Sequence, residues 1–467
     1  PEAVLDNARA LAQPGSAAIV TGQQVGLFGG PLFTLFKTIT TLKLANQLAD
    51  RTGKNVIPVF WVEGEDHDFA EIASTTVFVR NDLKTLTYQG FTDGNPGAVG
   101  RLPLERDIER LLDDLDELLP PSDFHDELFA ALREAYAPGR TIEDAFVAWW
   151  KTLFARFGLV FMNPDDRRLK ELTVPLFERE IEDSEEPAER LAQTSEALAD
   201  RYHAQVSARP TNLFLLGPDG RLPIDLHGDR FVLRGRDDGF SRDELLRLAR
   251  QHPERLSPNV IMRPLMQDHL LPTAFYVAGP GEISYFAQYR DVYRWAGLTM
   301  PGIFPRATAT LVEPKVTKVL DRYELALEDL KVGPDAAFAD LVRRLSPHDI
   351  DGEFRQFVAT VMQAVDAIRP VVASVDETLL RTTEATRAGL IKEIERLKER
   401  VFRAEKRHHD ELRAQLEKAF VNVLPEGRLQ ERVISPVYFL NKYGFGLIDQ
   451  LFDYLSIEEP RHRVIAL

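Results

Sequence analysis

At 467 residues with a hydrophobic fraction of 44%, the chain exceeds a single hydrophobic core and has ample apolar residues to bury in two or three structural units. Its 73 acidic against 57 basic residues give a net charge of -16, which repels phosphate backbones and excludes a general nucleic-acid-binding surface while leaving room for a local basic pocket. Cysteine is absent, so disulfides, thiolate nucleophiles, zinc–cysteine sites and iron–sulfur clusters are excluded, and any thiol in the chemistry belongs to a substrate.

In chain order, residues 17–21 (AAIVT) form a short apolar run that breaks into GQQVGLFGGP and then into a helical pattern from Leu32 to Leu48. The next apolar run, Val56 to Val62, is continuous rather than alternating, as a parallel strand covered on both faces requires. It ends at GEDHDFAEI. Strand, helix and strand in this order make one βαβ unit with a right-handed crossover, and they predict an α/β fold with a doubly wound parallel sheet. Residues 102–136 read as a helical insertion, GLVFMNPDD as a strand over 158–162 followed by a helix, and 171–207 as charged and helical. A hairpin is expected over 221–235, and a strand from Thr273 to Ala278 with a helix starting at Glu282.

Beyond residue 313 the pattern is helical. Leu390, Ile394, Leu397, Val401 and Ala404 follow a four–three spacing, with His408, Leu412 and Leu416 near its continuation. The run Phe354, Phe357, Val358, Val361, Met362 and Val365 has a similar face, so an antiparallel helical hairpin or a dimer seam is expected, with His408 and His409 as polar surface or seam residues. The organisation expected is a core over 1–312 interrupted at about 85–140 and 165–210, a coiled-coil domain over 313–425, and an aromatic tail over 426–467 that packs back on the body. No run of about 18 apolar residues stands out as a membrane span. The acidic start PEAVLDNARA lacks the basic region of a signal peptide, so a cytoplasmic protein is expected.

Four segments carry residues suited to chemistry. In the turn Thr21 to Pro31, glycines including Gly26 and Gly30 let backbone N–H groups approach an anion at a helix N-terminus, and Gln23 and Gln24 add amides at the strand tip. The turn matches neither glycine fingerprint of nucleotide sites, and a plain strand-to-helix connection is the competing reading. The segment GEDHDFAEI places Glu63, Glu65, Asp66, His67, Asp68 and Glu71 past the carboxyl end of a buried strand, where ligands of open α/β sheets bind. Carboxylates around the His67 imidazole suit it to acid/base work near neutrality; alternatively Asp68 caps the next helix with Glu71 as partner. Asp66 or Asp68 suits Mg²⁺, but no ligand spacing is diagnostic and no tightly bound metal is expected.

The third segment offers Arg263 as a planar fork for a carboxylate, Asp268 and His269 as a catalytic or a structural pair, and a second glycine turn at Gly279, Pro280 and Gly281 followed by Glu282, Tyr285, Gln288 and Arg290. Two such turns after buried strands can converge on one crevice. In the fourth, VYFLNKYG, Tyr438 and Tyr443 can stack a base while Asn441, Lys442 and Gly444 meet polar or phosphate groups; the alternative is an aromatic segment closing the helical domain.

Taken together, TGQQVGLFGGPLFTLFK, VIPVFWVEGEDHDFAEI, RPLMQDHLLPTAFYVAGPGEISYFAQ and VYFLNKYG resemble the BshC family of bacillithiol-synthesis cysteine-adding enzymes, over nearly the whole chain. The resemblance implies a Rossmann-like core with connecting-peptide insertions, similar to class I aminoacyl-tRNA synthetases, followed by a coiled coil that supports a homodimer. It implies a ligase that joins the cysteine carboxyl group to the glucosamine nitrogen of glucosaminyl malate, with ATP and Mg²⁺ expected for carboxyl activation. In that picture Thr21, Gln23, Gln24, Gly26, Gly30, Lys37, Glu65, Arg263, Asp268, Gly279, Gly281, Glu282 and Tyr285 bind substrate, Arg263 taking the malate carboxylates. His67 with Asp66 and Asp68 handles the attacking amine, and Tyr438, Asn441, Lys442, Tyr443 and Gly444 take the nucleotide. Phe36 stands where related cores often carry a histidine, which leaves Lys37 or backbone donors to meet a triphosphate. The competing class is a catalytically retired nucleotide fold acting as a scaffold through its coiled coil.

Overall fold

The computed structural model describes every residue except Pro1, Asn81, Thr92, Asp93, Asp237 and His408, and every described side chain except that of Arg407. The chain forms two compact units, Pro1–Thr310 with Gln430–Ile465, and Leu311–Leu429 with Ala466–Leu467.

The first unit is built on β1 (Ala17–Gln24), α1 (Leu32–Thr52), β2 (Val56–Glu63) and β3 (Val160–Met162). The continuous apolar runs are explained by burial on both faces: Ala18, Ile19 and Val20 of β1 and Val59, Phe60, Trp61 and Val62 of β2 are fully buried. Helix α1 stops at Gly53, whose φ of 66° is the left-handed conformation that closes a helix most readily with glycine. Two helices follow β3, α2 (Arg167–Glu182) and α3 (Glu186–Leu198).

A second, antiparallel sheet comes next, made of β4 (Leu213–Gly217), β5 (Gly220–His227), β6 (Arg230–Leu233), β7 (Gly239–Ser241) and β8 (Leu256–Pro258) in the order β8-β4-β5-β6-β7. The hairpin expected over 221–235 is its β5–β6 pair. The other strands are three to five residues long, too short for an alternating pattern to register. The chain then returns to the first sheet through α4 (Met262–Leu270), β9 (Thr273–Ala278), α5 (Pro280–Phe286) and β10 (Gly302–Pro305).

The first sheet is parallel throughout, in the order β10-β9-β1-β2-β3. Its strand order reverses between β1 and β9. β1 pairs with β2 along all eight residues, but with β9 only as far as Val20. Beyond Val20 the backbone ladder between β1 and β9 stops, and the carboxyl edge between them is the topological switch point where open α/β sheets hold ligands.

Between the two sheets Glu180 of α2 is buried, with one carboxyl oxygen accepting from the backbone and side-chain N–H groups of Asn212 at 2.7 and 3.0 Å. Its other oxygen has no partner. Burial pushes this carboxyl up to about 8, against the two bonds from Asn212. A carboxyl raised in the folded state adds stability that is full below the unfolded value of 4.5 and is lost as pH rises through about 8. Urea unfolding of Glu180→Gln should therefore match the wild type at pH 4 and exceed it at pH 9, removing a slope of up to about 1.4 kcal/mol per pH unit. Parallel pH profiles for the two proteins would refute this.

The second unit is helical. Helix α6 (Ile350–Val375) and helix α7 (Leu380–Arg407) form a hairpin bridged by Arg369 to Glu384 and Arg387 to Asp366, both at 3.5 Å. Within the chain Ile394 is buried, but Leu390, Leu397 and Val401 remain exposed, as do Phe357, Ile368 and Val371 on α6. The seam does not run on through Leu412 and Leu416. Those residues belong to a separate helix, α8 (Asp410–Val423), and pack with Val316, Phe338 and Leu341; His408 lies outside the described residues. Among the described residues one helix, α6, has an 18-residue stretch long and apolar enough to cross a membrane by length and composition only, and its Asp366 and Arg369 pair across the hairpin.

Candidate active site

The opening between β1 and β9 is a crevice of about 750 Å³. Gly22, Gln23 and Gln24 line it from the end of β1, Glu63 and Asp66 from the end of β2, and Gly279, Gly281 and Glu282 from the turn after β9. Arg263 and Tyr285 complete the floor, and β4, β5 and the segment before β4 form the far wall. The two glycine turns and the acidic segment thus meet at one hollow.

Lys37 fastens the two turns together. Its ammonium, 1% exposed, donates to the Gly22 carbonyl at 2.6 Å, to Gln23 Oε1 at 3.3 Å and to Glu282 Oε2 at 2.7 Å, which uses all three N–H bonds. Burial pulls Lys37 below the usual lysine value, with Glu282 opposing. Burial also opposes ionisation of Glu282, yet Lys37, the Gly279 N–H and the Tyr276 hydroxyl together hold that carboxyl below its ordinary value. On the other side Gln24 Nε2 donates to both Asp66 and Glu71 at 2.9 Å, tying the tip of β1 to the acidic segment.

Six cations face the crevice of this acidic protein, and they fall into two sets. Lys37 is saturated. Arg221 is occupied by Ser257, the Pro258 carbonyl and Asp66, and lies 3.9 Å over the Phe214 ring; Arg306 is held by buried Glu431 at 2.6 Å and by the Ala307 carbonyl. The other three keep donors for a ligand. Arg263 Nη2 is buried without a partner, while its Nε stands 3.8 Å from Glu63 Oε2, itself buried and unpartnered. Among the described residues the guanidinium groups of Arg209 and Arg432 have no hydrogen bond or ion pair. A burial effect stronger than the neighbouring Arg263 pushes the Glu63 carboxyl up to about 7.

The family model for the Bacillithiol biosynthesis BshC N-terminal Rossmann-like domain matches residues 1–307, and that for the BshC C-terminal coiled-coil domain matches 309–467. This chain belongs to the BshC family. Relatives named "Putative cysteine ligase BshC" are 54% identical in Salinibacter ruber, over 98% of this chain and 84% of the relative, and 36% identical in Chlorobaculum tepidum over the same shares. A third, in Koribacter versatilis, is 39% identical over 97% of this chain and 84% of its own.

Within this BshC-family fold the sequence-derived residues divide. Gln23, Gln24, Lys37, Asp66, Arg263, Gly279, Gly281, Glu282 and Tyr285 line the hollow. Thr21 lies beneath it, its hydroxyl bonded to the Val277 carbonyl at 3.0 Å. Gly26 and Gly30 serve packing: a Cβ on Gly26 would come within 2.9 Å of Gly30 Cα, and one on Gly29 within 1.9 Å of the Trp150 ring. Glu65 is buried against Lys170. Asp68 caps the short helix Phe69–Ile72, accepting from the Glu71 N–H at 3.2 Å. The His67 ring is close to half exposed, 3.2 Å from Asp66 and 3.3 Å from Arg221, outside the lining. Asp268 is bonded to the Tyr293 hydroxyl away from the hollow, and His269 bonds the Leu172 carbonyl.

The residues assigned to a nucleotide, Tyr438, Asn441, Lys442, Tyr443 and Gly444, lie on or just after α9 (Pro436–Tyr443) and not in this crevice. The Tyr438 ring meets Phe78 edge-on at 5.0 Å, and Asn441 is buried against His125 and the Pro120 carbonyl. Phe36 is fully buried in the core. The first glycine turn does not fit a triphosphate: the Gly26, Gly29 and Gly30 N–H groups donate within the turn, Leu32 N–H donates to the Ile434 carbonyl, and Lys37 is saturated. At the second turn the Glu282 carboxylate already takes the Gly279 N–H and sets negative charge there.

Sequence reasoning missed Arg209, Arg221, Arg306 and Arg432. Arg306 directly follows β10, a carboxyl-edge position that marks it once the strand is known. Arg432 comes from the returning segment far along the chain, and no local pattern announces it.

Proposed function

We propose that this chain is a ligase that joins L-cysteine through its carboxyl group to the glucosamine amine of glucosaminyl malate, giving bacillithiol. The observation that carries the reading is a set of three arginines that keep donors free, Arg209 and Arg432 with the whole guanidinium and Arg263 with its buried Nη2, around a switch-point crevice in a protein of net charge -16. Guanidinium forks left free in a hollow call for a ligand with several carboxylates or phosphates. Malate supplies two and cysteine a third. The substrate also brings the thiol that the chain lacks.

In this reading Arg263 anchors the malate, and the proton leaving the attacking amine passes to the Asp66–His67 pair, of which Asp66 reaches the crevice. A carboxylate accepts an amine only after activation, so we propose ATP with Mg²⁺ as the activating reagent, held elsewhere than on the glycine turns, which do not fit its triphosphate. We further propose a cytoplasmic homodimer whose seam covers the exposed apolar residues of α6 and α7. The saturated turns favour a second reading, a retired nucleotide fold serving as a scaffold, but a scaffold has no use for an open hollow with a buried, unpartnered guanidinium N–H group such as that of Arg263.

Purified protein incubated with L-cysteine, glucosaminyl malate and MgATP, and with each omitted in turn, should yield bacillithiol by mass in the complete mixture. Absence of product in every mixture would sink the ligase reading and leave the scaffold.

A further inference from the structure

The segment between α3 and β4, residues 199–212, has no helix or strand, yet Gln205, Val206, Ser207 and Arg209 from it form the outer wall of the crevice. From residue 203 to 210 its hydrogen bonds all go to one side chain. Gln288, 1% exposed, accepts from the Gln205 and Val206 N–H groups at 2.9 and 3.0 Å and donates to the Val206 carbonyl at 2.9 Å. Its remaining N–H donates to Ser195 Oγ at 2.7 Å. Three of the four bonds of the amide go to this strap and the fourth anchors it to α3, and Gln288 lies two residues beyond α5, the helix that carries Glu282 and Tyr285 into the crevice.

Resting on the ligase reading, we propose that Gln288 is a positioning residue that holds residues 203–210 as the substrate-facing wall, so that Arg209 meets a carboxylate of glucosaminyl malate. Besides these bonds the strap is held only by Val206, whose side chain packs on the core, so without Gln288 the backbone on either side loosens and the Arg209 guanidinium is spread over more positions. Glu282 and Tyr285 on one side and Arg209 on the other are thereby set by one continuous stretch, residues 279–288. This makes the strap a determinant of affinity for the anionic substrate, not of the chemical step.

The test uses the full chain with Gln288→Leu, Gln288→Glu and Arg209→Gln. Arg209→Gln, at an exposed position, should raise KM for glucosaminyl malate about tenfold, the loss of one charged hydrogen bond, with kcat within about twofold. Gln288→Leu should raise the same KM by at least as much and speed tryptic cleavage after Arg201 several-fold. Gln288→Glu keeps the oxygen that accepts from the two backbone N–H groups but loses the bond to the Val206 carbonyl, and should fall between leucine and wild type. Glucosaminyl malate should slow cleavage of the wild type and not of Gln288→Leu. Wild-type KM in both Arg209→Gln and Gln288→Leu overturns the proposal, as does a loss confined to kcat. If Gln288→Leu does not fold, Arg209→Gln and substrate protection of the wild-type strap decide the matter. A wild-type protein that neither binds nor converts glucosaminyl malate sinks the ligase reading itself, whereas an active wild type with unchanged variants sinks the strap alone.

Discussion

Replacing Lys37 with methionine is expected to cost about 3–5 kcal/mol in urea unfolding and to abolish product formation. The ammonium has no water to fall back on, and its three acceptors come from both sides of the crevice, two from the end of β1 and one from the helix after β9. Removing it leaves Glu282 as a buried charge with only the Gly279 N–H and the Tyr276 hydroxyl, and frees the β1 turn from the β9 turn. Breaking one partner of such a pair costs far more than removing both, so Lys37→Met/Glu282→Gln should recover a large part of the lost stability. It should not recover activity, because the two turns stay unfastened. Glu282 also fixes the sign of the pH response. Held below its ordinary value of 4.5, its carboxyl contributes stability that is present above that pH and lost as pH falls through the folded value, so Glu282→Gln should flatten the acid limb. A double variant no more stable than Lys37→Met would show that the pair is not coupled.

The convergence of the two glycine turns was legible because continuous apolar runs and their glycine breaks are local signals, and topology then brings the ends of β1 and β9 together. What the glycines do was not legible. Gly26, Gly29 and Gly30 look like a ligand cradle in sequence, but their missing Cβ atoms make room for each other and for Trp150, more than a hundred residues away. Lys37 misled for a related reason: a lysine after a glycine turn resembles a phosphate contact until its long-range partner, Glu282, is known. The acidic segment was half readable. Asp68 took the capping role that its spacing to Glu71 allows, and Glu65 was claimed by Lys170 from α2. The free arginines were hidden because freedom is a statement about every neighbour, and Arg209 and Arg432 come from irregular or returning segments with no periodicity.

Arg263→Met should raise KM for glucosaminyl malate about a hundredfold while leaving the unfolding midpoint almost unchanged. The Nη2 group is buried and unpartnered, so its bond to a substrate carboxylate forms without first breaking a bond to the protein. A charged hydrogen bond made in such a place is worth about 2–3 kcal/mol, or one and a half to two decades of affinity. Glu63 supplies an independent reading. Its carboxyl is raised to about 7 mainly by burial, with Arg263 holding it down. A carboxylate ligand binds best while Glu63 is protonated, so affinity in the wild type should fall as pH rises through about 7. Without the guanidinium Glu63 ionises at a higher pH, and the fall should move upward in Arg263→Met. Arg263→Lys restores the charge but not the planar fork, so it should return the pH midpoint toward the wild type while leaving most of the KM defect in place. Calorimetric binding of glucosaminyl malate from pH 6 to 9 separates these outcomes, and an unmoved midpoint in Arg263→Met would mean that the two groups do not share the ligand.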